Sequence, residues 1–226
     1  MSKIRKDSII VGLLFIIAIF ASLIGGTIIE GVITTEGYLE TLADNSSNLR
    51  FGVILELVNG IAVIGIAVIL YKYIKIYSER YAVAYIGLRI IEAIACVLAA
   101  VIAMSFITLS RDFSALNLVN LNIIQNVING FRNDILGILV PIFFSLSSFI
   151  LYYTLYRIKL VPRYISIWGL IGVVLIFSMN VFGISGDIQM LFALPIITNE
   201  LFLGFYLIIK GLKTNNNTLA DNKSEL

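Results

Sequence analysis

An apolar segment at residues 81–109 carries two charged side chains, Arg89 and Glu92, close to its middle. A segment of this length spans a bilayer as a helix, and ionised groups within a span are costly unless they face the bundle interior, pair or line a polar cavity. Residues three apart lie on one helix face. The segment therefore predicts a membrane helix with a buried polar face. That face continues through mostly small residues, which predicts close helix packing: Tyr85, Cys96, Ala99 and Ala103.

The rest of the chain is similarly apolar. Hydrophobic residues make up 59% of the 226 residues and charged residues only 13%. The hydrophobic residues fall in blocks of roughly twenty, the length of a membrane span. We therefore predict a single-domain, all-α polytopic membrane bundle at residues 1–213. The first span lacks the short apolar region and cleavage site of a signal peptide, so it is predicted to be retained. The six predicted transmembrane helices lie near residues 9–29, 51–74, 81–109, 135–156, 164–184 and 190–209.

The link between the third and fourth spans is too long to be structureless in a compact protein. Apolar residues recur there at helical spacing among asparagines, which predicts an interfacial amphipathic helix near residues 114–132. The apolar positions are Leu116, Val119, Ile123, Val127 and Phe131. The polar residues 214–226 predict a disordered cytoplasmic tail.

Charge distribution predicts the orientation. With six spans both termini lie on one side, and only Arg50, Arg111 and Arg132 fall on the other. Because basic residues concentrate on the cytoplasmic side, we predict a multi-pass protein of the cytoplasmic membrane with both termini in the cytoplasm. Its predicted partner is the lipid bilayer, with no nucleic acid. The basic residues on the terminal side are Lys3, Arg5, Lys6, Lys72, Lys75, Arg80, Arg157, Lys159, Arg163, Lys210, Lys213 and Lys223.

The chain contains no histidine, which excludes Ser-His and Cys-His catalysis and the usual histidine metal sites. Cys96 is the single cysteine and is interpreted as a packing residue. The tetrapeptide Gly183-Ile184-Ser185-Gly186 matches the short nucleophile motif of rhomboid-like proteases, but its serine lacks a histidine base. We interpret it as a turn. The sequence thus predicts no catalytic residue, cofactor or metal, and an enzyme is not favoured.

The candidate site is an intramembrane polar cluster of seven residues: Arg89, Glu92, Glu200, Glu56, Asn59, Asn180 and Asn199. At about 1.5 Å of rise per residue, Glu92 and Glu200 each lie roughly 15 Å from a membrane surface, near the midplane. The forked donors of Arg89 can satisfy one carboxylate fully and reach a second. At least one acid is then left in excess.

Two functions fit this cluster. In the first, Arg89 pairs with Glu92 or Glu200 as a buried helix lock in a structural, accessory or sensing membrane protein. In the second, Glu200 or Glu92 is the proton or cation site of a small-molecule or ion carrier, with Arg89 as an anion contact or counter-charge. Direct pairing in a dry core would favour the lock, and a water-filled cavity the carrier. Because structural ion-pair networks are common, the lock is slightly favoured.

Several short motifs resemble a known family. The segments at 48–52, 88–93, 162–163, 199–201 and 210–211 read Asn-Leu-Arg-Phe-Gly, Leu-Arg-Ile-Ile-Glu-Ala, Pro-Arg, Asn-Glu-Leu and Lys-Gly. Together they resemble the prokaryotic multi-pass membrane proteins of the domain-of-unknown-function family 4386, over nearly the whole chain. The resemblance implies an integral membrane protein with this helix arrangement and implies no activity. It draws attention to Arg50, Glu56, Arg89, Glu92, Pro162, Arg163 and Glu200.

Overall fold

The computed structural model describes residues 2–35, 37–44, 46–111, 118–184 and 188–213, and every regular element within them is helical. Helices suit a bilayer because they satisfy every backbone polar group internally. The elements are α1 (Lys3–Ile33), α2 (Tyr38–Thr41), α3 (Ser47–Lys75), α4 (Glu79–Arg111), α5 (Leu118–Asp134), a π-helical turn (Ile135–Leu139), α6 (Val140–Ile158), α7 (Arg163–Val181) and α8 (Ile188–Ile209).

The prediction of an all-α, multi-pass bundle is confirmed. In the described part of the chain, six helices are long and apolar enough to cross a membrane. They are Lys3–Ile33, Ser47–Lys75, Glu79–Arg111, Leu121–Ile158, Arg163–Val181 and Ile188–Ile209. Most extend past the predicted spans, because polar residues continue a helix beyond the apolar segment.

The fifth span is the exception, since its helix ends at Val181 rather than at residue 184. Gly183 has a φ of 62°, in the left-handed region that favours glycine. The Ile184 N–H then donates to the Met179 carbonyl at 3.0 Å, which closes the helix end. The turn predicted at Gly183 is confirmed, while Ser185 and Gly186 lie outside the described residues.

Residues 118–158 form one continuous helical stretch, whereas the sequence predicts an interfacial helix and a separate fourth span. The two parts join through the π-turn Ile135–Leu139. Pro141 lacks an N–H and therefore cannot donate to the Gly137 carbonyl one turn earlier. The helix accommodates that missing bond with a wider turn.

Helix α5 confirms the helical part of the prediction for this region. Ile123, Val127 and Phe131 are exposed along one side, and Leu121 is buried. Residues 114–117 and the side chains of residues 118–120 lie outside the described structure. The interfacial location of α5 stays a prediction, as does the disorder of residues 214–226, which also lie outside the described residues.

Chain contacts divide the structure, as far as it is described, into two compact units. The first contains Met1–Ile16, Val63–Ile90 and Ile142–Leu226, and the second Ile17–Ala62 and Ile91–Pro141. Helices α1, α3 and α4 each contribute a segment to both units. The prediction that residues 1–213 form a single domain stays a prediction.

In the first unit, α1 and α8 approach so closely that their backbones touch at two glycines. A Cβ built on Gly12 would lie 2.5 Å from the Gly204 carbonyl oxygen, and one on Gly204 would lie 3.1 Å from the Gly12 oxygen. Small residues permit such approach between membrane helices. The core beside this crossing includes Val11, Phe15 and Leu207, all buried.

The N-terminal end of α1 also binds the C-terminal end of α8. Arg5 donates to the carbonyl oxygens of Leu207 at 3.2 Å, Ile208 at 2.5 Å and Ile209 at 3.2 Å. The last carbonyls of a helix have no partner within it and carry partial negative charge. Arg5 therefore caps α8 from a position about 200 residues earlier in the chain.

The second unit contains a short segment, between the first two predicted spans, that buries two of its side chains. Its one-turn helix, α2, buries Tyr38 and Leu39. The ring of Tyr38 packs edge-on against Phe106, with the centroids 5.8 Å apart. Burial raises the pKa of Tyr38 to about 12. On α4, the Ser110 hydroxyl donates to the Leu39 carbonyl at 2.6 Å and accepts from the Ala43 N–H at 2.8 Å.

Ser110→Ala is expected to lower the free energy of unfolding by about 1–3 kcal/mol, because it removes the partner of two backbone groups. Ser110 is buried, so water would not readily replace its hydroxyl. The measurement is thermal or denaturant unfolding of the purified protein in detergent. The control is Thr27→Val, since Thr27 is exposed and its hydroxyl donates to the Leu23 carbonyl of its own helix. Equal losses in the two variants would contradict this assignment.

Candidate functional site

Arg89 is the centre of the polar site in the first unit. It lies on α4, and its Nη2 donates to the Ser148 hydroxyl of α6 at 2.9 Å. The same nitrogen lies 3.8 Å from Oε1 of Glu200 on α8. The side chains of Arg89 and Glu200 are only 4% and 13% exposed. One guanidinium therefore connects three helices through a hydroxyl and a carboxylate, and we call these three residues the Arg89 cluster.

The contacts of Arg89 with Ser148 and with Glu200 differ in kind. The distance to Ser148 is that of an ordinary hydrogen bond, whereas 3.8 Å to Glu200 is too long for one and corresponds to an ion pair. Aromatic rings add a further favourable field: the guanidinium carbon lies 5.6 Å from the Tyr85 ring centroid and 5.3 Å from that of Phe144. Contacts of this type stabilise a cation most strongly where water is excluded.

Asn199 precedes Glu200 on α8 and fixes this part of the helix against α7. It is fully buried, and its Nδ2 donates to the Ile165 carbonyl at 2.9 Å. Asn180, also in the first unit, is partly exposed. The structure thus places Arg89, Glu200 and Asn199 in one unit, with Asn199 acting on the orientation of α8.

The remaining predicted residues belong to the second unit. Glu92 is buried there. The Asn59 amide donates from Nδ2 to Oε2 of Glu56 at 3.3 Å, as their three-residue spacing allows. The seven predicted residues are therefore divided between two units.

Glu56 also lines a cavity of about 190 Å³ inside the second unit. Its wall comes from α1, α3, α4, α5 and the π-turn, and we call it the Glu56 cavity. Arg132 lines it too and pairs with Glu30, with Nη1 and Oε1 2.6 Å apart. The full lining is Ser22, Gly26, Ile29, Glu30, Glu56, Cys96, Ala99, Ala100, Arg132 and Leu136.

Sequence reasoning missed Glu30 and Arg132. The predicted first span ends at residue 29, before Glu30, whereas α1 continues to Ile33. Arg132 was predicted at the end of the interfacial helix, on the membrane side opposite the termini. The sequence did contain one sign that Arg132 is buried, which is a second helix face on α5 that carries apolar residues. Leu121, Ile128 and Arg132 share a helix face, and the structure turns that face toward the core of the second unit.

Neither site has the composition of a metal centre. In the part of the chain that the structure describes, no three cysteine, aspartate or glutamate side chains are placed to hold a metal ion. The Arg89 cluster can hold helices together, and the Glu56 cavity can accept a small polar molecule or ion.

Comparison with known proteins identifies a family. The family model described as "Domain of unknown function (DUF4386)" matches residues 10–211. No curated protein and no solved structure matches the chain. The matched range includes Arg89, Ser148 and Glu200, as well as every residue that lines the Glu56 cavity. This chain, an integral membrane protein whose described residues include six helices long and apolar enough to cross a membrane, belongs to the DUF4386 family.

Proposed function

We propose that this protein is a structural, accessory or sensing component of a prokaryotic cytoplasmic membrane, in which the Arg89 cluster locks α4, α6 and α8 together. The observation that carries the proposal is the buried guanidinium of Arg89, which contacts a hydroxyl on one helix and a carboxylate on another. Each contact requires one relative position of the helices. The cluster therefore specifies how they pack.

The energetics of buried charges support a lock. A buried ion pair adds little net stability compared with apolar packing, but the loss of one partner leaves an unpaired charge and is strongly destabilising. In hydrocarbon no water can compensate for the lost contact. Packings of α4, α6 and α8 that separate Arg89 from Glu200 are thus penalised.

The membrane and orientation belong to the same proposal. In the topology predicted from the sequence, twelve basic residues fall on the side of both termini and Arg50 and Arg111 fall opposite, while Arg132 is buried in its pair with Glu30. This asymmetry supports termini in the cytoplasm. The family resemblance supports a prokaryotic source.

A carrier for a small molecule or ion is the second candidate function. The observation that favours it is the Glu56 cavity, which contains a carboxylate within the apolar helices. A carboxylate in that position marks ion or substrate pathways in many membrane proteins. Arg89 and Glu200 form a direct pair, so we place the carboxylate of such a carrier at Glu56.

A double-mutant cycle tests the lock. Glu200→Gln is expected to destabilise the otherwise unchanged protein, because Arg89 loses its counter-charge. In an Arg89→Met background, the same change is expected to be neutral or stabilising, since it then removes a buried carboxylate that has already lost the Arg89 guanidinium. The coupling free energy should be about 1–3 kcal/mol. It is measured from unfolding of the four purified proteins in one detergent.

The control for this cycle is Glu79→Gln, the same substitution in an exposed pair with Lys75. Exposed pairs of this spacing contribute less than about 1 kcal/mol. The lock proposal fails if Glu200→Gln leaves stability unchanged or raises it while Arg89 is present. A rise in stability would mean that the Glu200 carboxylate is retained at a structural cost, and the carboxylate of a carrier would then be placed at Glu200 instead of Glu56.

A further inference from the structure

The Glu56 cavity has the size of a small-metabolite site. Its volume is about 190 Å³, which corresponds to about six water molecules at the volume that water occupies in the liquid. Sites for drug-sized molecules start at about 300 Å³. Gly26, Ala99 and Ala100 leave the space open because they have little or no side chain. A molecule with a handful of non-hydrogen atoms fits.

The charged side chains on the wall determine whether the cavity favours a cationic or an anionic ligand. Glu30 is neutralised by Arg132 at 2.6 Å. Glu56 is the second carboxylate: Asn59 Nδ2 donates to its Oε2 at 3.3 Å, and the Arg132 charge that pairs with Glu30 also acts on it through space. With Glu56 ionised, two carboxylates and one guanidinium leave one negative charge on this wall. A cation of charge +1 restores neutrality within this unit.

Oxygen ligands on the wall are too few for a bare divalent ion. Only Ser22, Glu30 and Glu56 carry side-chain oxygens among the described lining residues. Calcium and magnesium take six or more oxygens. An ammonium group instead needs acceptors for three N–H donors, which Glu56, Ser22 and a bound water can provide. Oε1 of Glu56 lies 3.8 Å from the position of a Cβ built on Gly26, which also lines the cavity.

Arg132 adds a donor to the same wall. It is 2% exposed, and its Nε has no hydrogen-bond partner in the described structure. A buried donor left without a partner is costly. A ligand oxygen or a water that accepts from Nε would remove that cost. The wall is therefore complementary to a ligand with an ammonium group near Glu56 and a hydrogen-bond acceptor near Arg132.

We infer that the Glu56 cavity binds a small primary amine that carries an oxygen acceptor, the chemistry of an amino alcohol. The ammonium group binds Glu56, the oxygen accepts from Arg132, and the carbon atoms contact Ala99, Ala100 and Leu136. Leu136 belongs to the π-turn, an element that is frequent at functional sites. The inference concerns the second unit and does not depend on the Arg89 cluster.

Three probes with four non-hydrogen atoms each test the inference. Ethanolamine has both groups, propylamine has only the amine, and 1-propanol has only the hydroxyl. Ethanolamine is expected to give saturable heat in titration calorimetry and to raise the melting temperature of the purified protein. Propylamine should bind roughly tenfold more weakly, since it leaves Arg132 Nε without a partner, and 1-propanol should not bind.

Two variants locate the site. Glu56→Gln is expected to weaken ethanolamine binding about tenfold or more. Should that variant misfold, Gly26→Ala serves instead, because its methyl group meets Glu56 Oε1 at an ordinary 3.8 Å and shields it. The matched control is Gly31→Ala on the same helix, where a Cβ meets nothing within 4 Å. That control should bind ethanolamine as the unchanged protein does.

Some lipid headgroups also carry an ammonium group and oxygen acceptors, so a competition experiment distinguishes a lipid from a free metabolite. Phosphatidylethanolamine added to the micelles should compete with ethanolamine if the headgroup enters the cavity, whereas phosphatidylcholine should not, because it has no N–H donor. If phosphatidylethanolamine competes, the ligand is the lipid headgroup. If it does not compete while ethanolamine still binds, the ligand is a free amine. The inference is overturned if ethanolamine does not bind, if 1-propanol binds equally, or if binding survives in a folded Glu56→Gln protein.

Discussion

Arg89→Met is expected to lower the free energy of unfolding by about 3–5 kcal/mol, the range found when one partner of a buried ion pair is removed. Methionine keeps most of the side-chain volume, so packing against Tyr85 and Phe144 is largely retained. What disappears is the donor to Ser148 and the counter-charge of Glu200. Both partners then remain in a region from which water is excluded.

Unfolding of purified protein in one detergent measures this loss, with Arg80→Met as the control. Arg80 lies on the same helix but is exposed, and exposed substitutions usually change stability by less than about 0.5 kcal/mol. A loss below about 1 kcal/mol in Arg89→Met would mean that Ser148 and Glu200 find equivalent partners without the guanidinium. The Arg89 cluster would then not fix the packing of α4, α6 and α8.

Gly12→Ala is expected to be the other severe change, with a cost of about 3 kcal/mol, the upper end of the range for overpacking. The new methyl group would lie 2.5 Å from the Gly204 carbonyl oxygen and 2.8 Å from Ile208 Cγ1. A backbone oxygen cannot change rotamer to make room. Helices α1 and α8 must therefore separate, and the Arg5 cap at the end of α8 is disturbed with them.

The control for Gly12 is Gly87→Ala on α4, where an added Cβ meets nothing within 4 Å. Alanine is the better helix former by about 1 kcal/mol, so this variant is expected to be as stable as the unchanged protein or more stable. Melting temperatures of the two variants give the comparison. Similar behaviour of both would show that α1 and α8 do not touch at Gly12.

The fold was largely predictable from hydropathy, for a physical reason. A bilayer requires long apolar segments, and such segments are visible in the sequence without any knowledge of tertiary contacts. Helix ends were predicted less well, because polar residues such as Lys3 and Glu79 continue a helix beyond the apolar segment. The π-turn was missed, since it depends on how the chain accommodates Pro141.

The candidate site was predictable only in part. A charge within a span indicates that a partner exists, and Glu200 was one of two carboxylates proposed for Arg89. Ser148 was not identified as a partner, because a serine can also bond to its own helix backbone. Arg132 was missed because two apolar stripes compete on α5, and the choice between them depends on which side the rest of the second unit occupies.

The capping of α8 by Arg5 also has a consequence for biogenesis. A ribosome delivers the chain from its N-terminus, so the first helix enters the membrane while its partners at Gly204 and Leu207–Ile209 have yet to be translated. All residues of the second unit, by contrast, have been synthesised once Pro141 is made. The second unit can therefore assemble while translation continues, and the first must wait for the last helix. A nascent chain that stops before α8 would expose the Gly12 face of its first helix, a surface that membrane quality control can recognise.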